Sequence, residues 1–270
     1  MKTNNELKEN VKEVYSSIVE STTASCCGGG GSSCGGSKVE FTMIYDDYKS
    51  VYGYTPEADL GLGCGIPTMF LDIKEGDTVV DLGSGAGNDA FIVSSLVGNT
   101  GKVIGIDMTE AMISKANSTR DKLGKQNVEF VLGDIENMPI ENESADIVIS
   151  NCVLNLVPDK AKAFSEIHRV LKNHGRFSFS DIVIQGKIEG KLKDLASLYA
   201  GCITGAIGEH EYLDLLKSAG FDDVEVKKRN RIDIPKEILL SHITEAEYKE
   251  FEQSSKGVFS ITVTGNKSQL

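Results

Sequence analysis

The chain has 270 residues, 25% of them charged and 40% apolar, which suffices for one large core or a core with a smaller appendage. Its formal net charge of -12, with no local gathering of Lys and Arg to offset it, repels a phosphate backbone and argues against nucleic acid as a partner. No apolar run nears the roughly 20 residues that span a bilayer, and the opening MKTNNELKENVKEVYSS is polar and unlike an export signal, so a cytoplasmic protein with no membrane partner is expected.

In chain order, Leu7, Val11, Val14, Tyr15 and Ile18 recur at helical spacing and predict a helix over residues 4–20. Residues 25–37, SCCGGGGSSCGGS, hold too little apolar surface to pack and are expected to form a mobile loop carrying Cys26, Cys27 and Cys34. From residue 78 onward, β-rich runs alternate with helical stretches: TVVDL, a helix near 88–96, KVIGID, a helix near 110–123, NVEFVLGD, ADIVIS, a helix near 159–171 and GRFSFSDIV. Helical segments between 189 and 219, then DDVEVKKR, an amphipathic helix in TEAEYKEFEQSS and an edge-type strand VFSITVTGN complete the series. Alternation of this kind predicts an α/β fold with a doubly wound, mostly parallel seven-stranded sheet, in which ligands bind beyond the carboxyl ends of the strands. The expected division is an N-terminal helix and Cys/Gly-rich loop (1–60), a cofactor-binding domain (61–230), and a C-terminal helix and closing strand (231–270).

Residues 79–87 read VVDLGSGAG, an apolar strand running into glycines at every second position and then a helix. Glycines there let backbone approach a ligand with no Cβ in the way. The dinucleotide fingerprint needs GxGxxG so that a pyrophosphate can sit on the helix N-terminus, and this loop departs from it. Its D-x-G-x-G-x-G form, from Asp81 to Gly87, instead resembles the first motif of the class I (Rossmann-like) S-adenosylmethionine methyltransferases. Asp107 ends the second strand, where an acid can accept both ribose hydroxyls; as an acid just before Thr109 it also suits a helix N-terminus. The methyltransferase resemblance implies that Asp134, closing the third strand, contacts the adenine amino group and that Ile135 packs on the ring, although a turn acid would look the same. The expected cofactor set is therefore Asp81, Gly83, Ser84, Gly85, Gly87, Asp107, Met108, Asp134, Ile135 and Asn151.

Six cysteines without an export signal point to reduced thiols rather than a disulfide framework. Cys64 lies in LGLGCGIP before the sheet, Cys152 in SNCVLNL directly after the fourth strand, and Cys202 in YAGCITGA after the fifth. A single buried cysteine is commonly inert, but Cys152 falls where the reactive end of a cofactor is expected. YDDY, LGLGCGIP, VVDLGSGAG, IDMTEAMI, SNCVLNL and GCITGA together resemble the arsenite S-adenosylmethionine methyltransferase family, over roughly residues 10 to 225. That resemblance implies methyl transfer from S-adenosylmethionine to arsenite and methylarsenite for arsenic detoxification, with arsenic held as substrate by Cys64, Cys152 and Cys202. It also implies that one of Cys26 and Cys27 exchanges disulfides with Cys64, reset by thioredoxin or glutathione. Cys34 departs from the family pattern, and beyond about residue 222 the match fades.

Two other readings stand beside this one. A methyltransferase for a small organic acceptor such as a quinone would want a general base, for which His168, His174 and His210 are candidates; His168 in EIHRVLK and His174 in NHGR look structural. A non-catalytic soft-metal site could use Cys26, Cys27, Cys34 and Cys64, but the paired C-x-x-C units usual for zinc are absent from the sequence.

Overall fold

The computed structural model describes residues 3–24, 47–186, 205–233, 236–240, 243–254 and 256–268. Cys26, Cys27, Cys34 and Cys202 lie outside the described residues, as do the expected Cys/Gly-rich loop and part of the helical stretch expected between 189 and 219. The strands are β1 (Thr78–Leu82), β2 (Lys102–Asp107), β3 (Val128–Leu132), β4 (Ala145–Asn151), β5 (Leu171–Gln185), β6 (Phe221–Arg231) and β7 (Gly257–Lys267). The helices are α1 (Asn4–Ala24), α2 (Asn88–Val97), α3 (Glu110–Leu123), α4 (Lys160–Val170), α5 (Glu209–Ser218), α6 (Lys236–Leu240) and α7 (Glu245–Gln253). No described helix is long and apolar enough to cross a membrane.

The strands form one sheet in the order β3-β2-β1-β4-β5-β7-β6, parallel from β3 to β5 and antiparallel at β7 and β6. Strand alternation sends Val79, Ile147 and Ile149 to one face, where they pack with Phe91 and Val93 of α2 and Ala116 of α3. Val80, Leu82 and Val148 take the other face, with Phe164 of α4, Phe177, Phe179 and Tyr212 of α5. Both faces are covered, which explains why β1 and β4 read as continuous apolar runs. Phe177 and Phe179 are fully buried with ring centroids 4.4 Å apart; burying each contributes roughly 1.5–3 kcal/mol.

Local signals end the helices where expected. Gly124, in the left-handed conformation, turns its N–H back to the Arg120 and Asp121 carbonyls and closes α3. The Asp159 carboxylate accepts from Lys162 N at the start of α4, and Thr244 with Glu247 forms a reciprocal cap on α7.

One expectation is corrected. The last strand is not an edge: β7 lies between β5 and β6, hydrogen-bonded to both, and is buried along nearly its whole length. The edge belongs to β6, whose charged, alternately exposed FDDVEVKKRNR suits a strand with one open side. Because β2 and β4 flank β1 on opposite sides, the chain reverses its direction of travel across the sheet there, and a crevice opens beyond the carboxyl ends of β1 and β4.

Candidate active site

That crevice is a pocket of about 1140 Å³ counting its open mouth, of a size for a nucleoside-bearing ligand. Asp81, Gly83, Ser84, Gly85, Asp107, Met108, Asp134, Ile135, Asn151 and Cys152 all line it, although they come from the ends of four different strands. Gly87 does not. It is the N-cap of α2 at φ 96°, and a Cβ there would stand 2.7 Å from the Phe130 ring and 2.8 Å from the Phe91 ring. The missing side chain there makes room for those two core rings and for the entry into α2. Gly85 is the opposite case: at φ 53° its missing Cβ would meet only Met112 Sδ, at 3.9 Å, so the space it leaves belongs to the pocket.

The loop is pinned from its neighbours. Ser84 N donates to the Ile106 carbonyl (2.9 Å), Gly85 N to Asp107 Oδ2 (3.0 Å) and Thr109 N to Asp107 Oδ1 (2.8 Å). Asp107 thus joins two strand ends and presents its carboxyl at the pocket wall. Burial holds its carboxyl above the usual range, partly offset by those N–H donors.

Asn151, one of the expected cofactor residues, centres a second polar cluster whose other members, Tyr48 and Asp89, had no role assigned from sequence. The Asn151 amide nitrogen lies 2.7 Å from Tyr48 Oη, 2.9 Å from the Gly65 carbonyl and 2.9 Å from Asp89 Oδ2. Tyr48 Oη in turn stands 2.9 Å from Asp89 Oδ1. Burial pushes Asp89 up to about 6, with the bonds from Asn151 and Tyr48 pulling it back. Asp81, 2% exposed, is raised well above the carboxylate range by burial and then by the negative charges of Asp89 and Asp107. Tyr48 was visible only as part of YDDY, and Asp89 only as an acid in the first turn of a helix.

The same Asn151 connects the two described cysteines of the expected thiol set. Its Oδ1 accepts from Cys64 N at 3.0 Å, a contact across 87 residues, and Cys152 follows it in the chain. Both cysteines are buried, at 1% and 2% exposure; Cys152 lines the pocket and Cys64 follows the pocket-lining Gly63. Cys152 adopts φ 60°, a left-handed conformation costly for a side-chain-bearing residue and held here by Cys152 N donating to the Ser180 carbonyl (2.7 Å). None of His168, His174 and His210 lines the pocket. His168 packs edge-on against Phe221, 5.6 Å between centroids, and burial lowers its pKa.

The pocket suits S-adenosylmethionine on its own chemistry. Asp81 Oδ2, Ser84 Oγ and Asn88 Oδ1 are buried acceptors on lining residues with no partner among the described residues. Three lining carboxylates, Asp81, Asp89 and Asp107, await a ligand rich in donors and positive charge, and this cofactor carries an ammonium, a sulfonium and ribose hydroxyls.

Residues 73–220 match the model of a family described as a methyltransferase domain. The chain is 43% identical over 185 residues to the arsenite methyltransferase of Halobacterium salinarum, covering 68% of this chain and 46% of the relative. It is 34% identical over 229 residues to that of Homo sapiens, covering 77% and 60%. The crystal structure of an arsenic (III) S-adenosylmethionine methyltransferase from Chlamydomonas reinhardtii superposes with a TM-score of 0.62 at 34% identity, over 77% of this chain and 68% of that one. The chain belongs to the arsenite methyltransferase family. Its sheet is that of a class I S-adenosylmethionine methyltransferase, with S-adenosylmethionine as the cofactor. As a member of the arsenite methyltransferase family it spans about half the length of its curated relatives, 46% and 60% of the two named above.

Proposed function

We propose that this chain transfers methyl groups from S-adenosylmethionine to trivalent arsenic held by cysteine thiolates, in arsenic detoxification. The observation that carries the reading is the bond from Cys64 N to Asn151, which brings two buried cysteines to one wall of the cofactor pocket. Gly205, three residues after Cys202, packs so closely on the Asn155 carbonyl that a Cβ would stand 1.9 Å from it.

In this reading Asp107 receives the ribose hydroxyls, Ile135 and Met108 flank the adenine with Asp134 at its amino group, and Asp81 with Ser84 and Asn88 takes the amino acid end. When bound, the cofactor supplies an electrophilic methyl group on a cationic sulfur. Cys64, Cys152 and Cys202 are soft donors suited to a thiophilic centre, and three sulfurs on one side leave the arsenic lone pair on the other. That lone pair carries no proton, so no general base is required, in keeping with a pocket that no described His lines. Gain of a methyl cation raises arsenic formally from As(III) to As(V). The two electrons that return it come from two thiols, Cys64 with Cys26 or Cys27, which close to a disulfide and are reset by thioredoxin or glutathione.

The test is incubation of the reduced protein with arsenite, S-adenosylmethionine and a thiol, followed by chromatographic separation of the arsenic species with elemental detection. Methylated arsenic that requires both protein and cofactor is expected. Cys152→Ser and Cys202→Ser should each abolish it while leaving cofactor affinity within about twofold; full activity in either variant rejects the three-thiolate site.

A further inference from the structure

One wall of the pocket comes from far away in the chain. Lys8, Val11 and Tyr15 of α1, spaced i, i+3 and i+7 along one helix face, all line it. Leu7 and Val14 of the same helix are 41% and 46% exposed, so the apolar stripe read from sequence is divided between pocket and solvent. The helix packs against α3, and beside the end of β3 a cation ties it down as well. Lys8 Nζ lies 2.7 Å from Asp134 Oδ2 and 2.7 Å from Glu136 Oε2, with the lysine side chain 18% and the Glu136 side chain 8% exposed.

Both acids are already oriented from their own side. Asp134 Oδ1 accepts from Glu136 N at 2.9 Å, and Glu136 Oε1 accepts from Asp159 N at 3.1 Å. Lys8 therefore joins a prearranged pair of carboxylates. Burial alone would lower its ammonium, but the hydrogen bonds to Asp134 and Glu136 outweigh that and raise it. The arm to Glu136 is shielded from water and stronger than an exposed ion pair, while Asp134, with its side chain 43% exposed, is the more screened arm.

We propose that α1 is a cofactor-retaining wall and that Lys8 is its latch, closing on Asp134 and Glu136 over the nucleoside end of bound S-adenosylmethionine. This rests on the reading that the cofactor occupies this pocket. Lys8 uses one lone pair of Asp134 Oδ2 and leaves others on that carboxylate, so latch and adenine amino group share Asp134 rather than compete for it. Dissociation then requires the ion pair to break before α1 can move aside, and losing the latch acts on the off-rate. Lys8 is a positioning residue in this scheme: it acts on the cofactor through the helix.

The experiment uses the full chain with S-adenosylmethionine and its demethylated product S-adenosylhomocysteine as probes. Off-rates are read by rapid filtration of labelled cofactor, and backbone hydrogen exchange of α1 is followed with and without product. Lys8→Met keeps length and apolar stem; it should raise both off-rates about tenfold and remove the ligand-induced protection of α1. Glu136→Gln keeps an acceptor for Asp159 N at a residue that does not itself line the pocket, and it should shift both readouts the same way. Lys8→Arg should restore much of the slow off-rate. Off-rates unchanged in both Lys8→Met and Glu136→Gln, or α1 exchange indifferent to ligand in the wild-type chain, would overturn the latch. A wild-type chain that binds neither probe overturns the cofactor reading and the latch with it.

Discussion

Asp89 shows how one buried side chain can favour a ligand at the expense of the fold. Its carboxyl titrates at about 6 because burial disfavours the charge, against the opposing bonds from Asn151 and Tyr48. A cationic ligand in the pocket favours the ionised form, so S-adenosylmethionine affinity should tighten as pH rises from about 5 through 6 and level off above about 7. Asp89→Asn should flatten that profile and weaken binding near neutral pH by about tenfold, by titration calorimetry; an unchanged profile would remove Asp89 from the cofactor's electrostatics. For stability the sign is reversed. A folded-state pKa raised from 3.8 means the folded chain holds more protons than the unfolded one, so stability is lost as pH climbs toward and through the folded value. Asp181 adds to the same trend. Burial pushes it to about 7 despite the bond from Ile182 N at 3.0 Å and the Tyr212 hydroxyl at 3.2 Å from its Oδ2. The urea midpoint should therefore fall between pH 5 and 8, and Asp181→Asn should fall less; a midpoint rising with pH would contradict the burial argument.

Within the β1–α2 connection, neighbouring glycines do different work. Gly85→Val fills pocket space and should abolish cofactor binding, at a folding cost of about 1–3 kcal/mol for a left-handed backbone with a branched side chain. Gly87→Ala adds a smaller group but drives it against Phe130 and Phe91, in addition to φ 96°. It should cost more, about 2–4 kcal/mol, with residual binding in whatever fraction stays folded. Equilibrium unfolding and cofactor titration of both variants separate the two roles, and equal effects on both readouts would show that the loop acts as one unit. The D-x-G-x-G-x-G spacing marks a ligand loop but does not distinguish a glycine that faces a ligand from one that faces a core. That depends on Phe130, 43 residues away on β3.

Across the whole molecule, β7 makes the C-terminal stretch part of the central sheet. Ile261 is fully buried, paired with Asp181 of β5 and Arg229 of β6. Ile261→Ala should destabilise the chain by about 2–5 kcal/mol in denaturant unfolding, in one transition shared with the cofactor domain. A separate early transition would show β7 to be an appendage. The proposed thiol site has the same long reach: Cys64 N bonds Asn151, next to Cys152, because a segment preceding the sheet folds back over β4.

The amino-acid sequence by itself determined the alternation of strands and helices, the Gly-rich loop after β1, and the acids at the ends of β2 and β3, because each is a local pattern read within a few residues. Short connections and a fixed crossover hand then carry those strand ends to one side of a parallel sheet, so much of the lining of the pocket was legible in the sequence. Tertiary structure alone decided the insertion of β7 between β5 and β6, the bonding of Tyr48 and Asp89 to Asn151, the core role of Gly87, and the docking of Lys8 onto Asp134 across 126 residues. The physical reason is common to all four. Periodicity says which face of an element is apolar, but not which distant element covers it, and the partner of a buried polar group is chosen only when those faces meet.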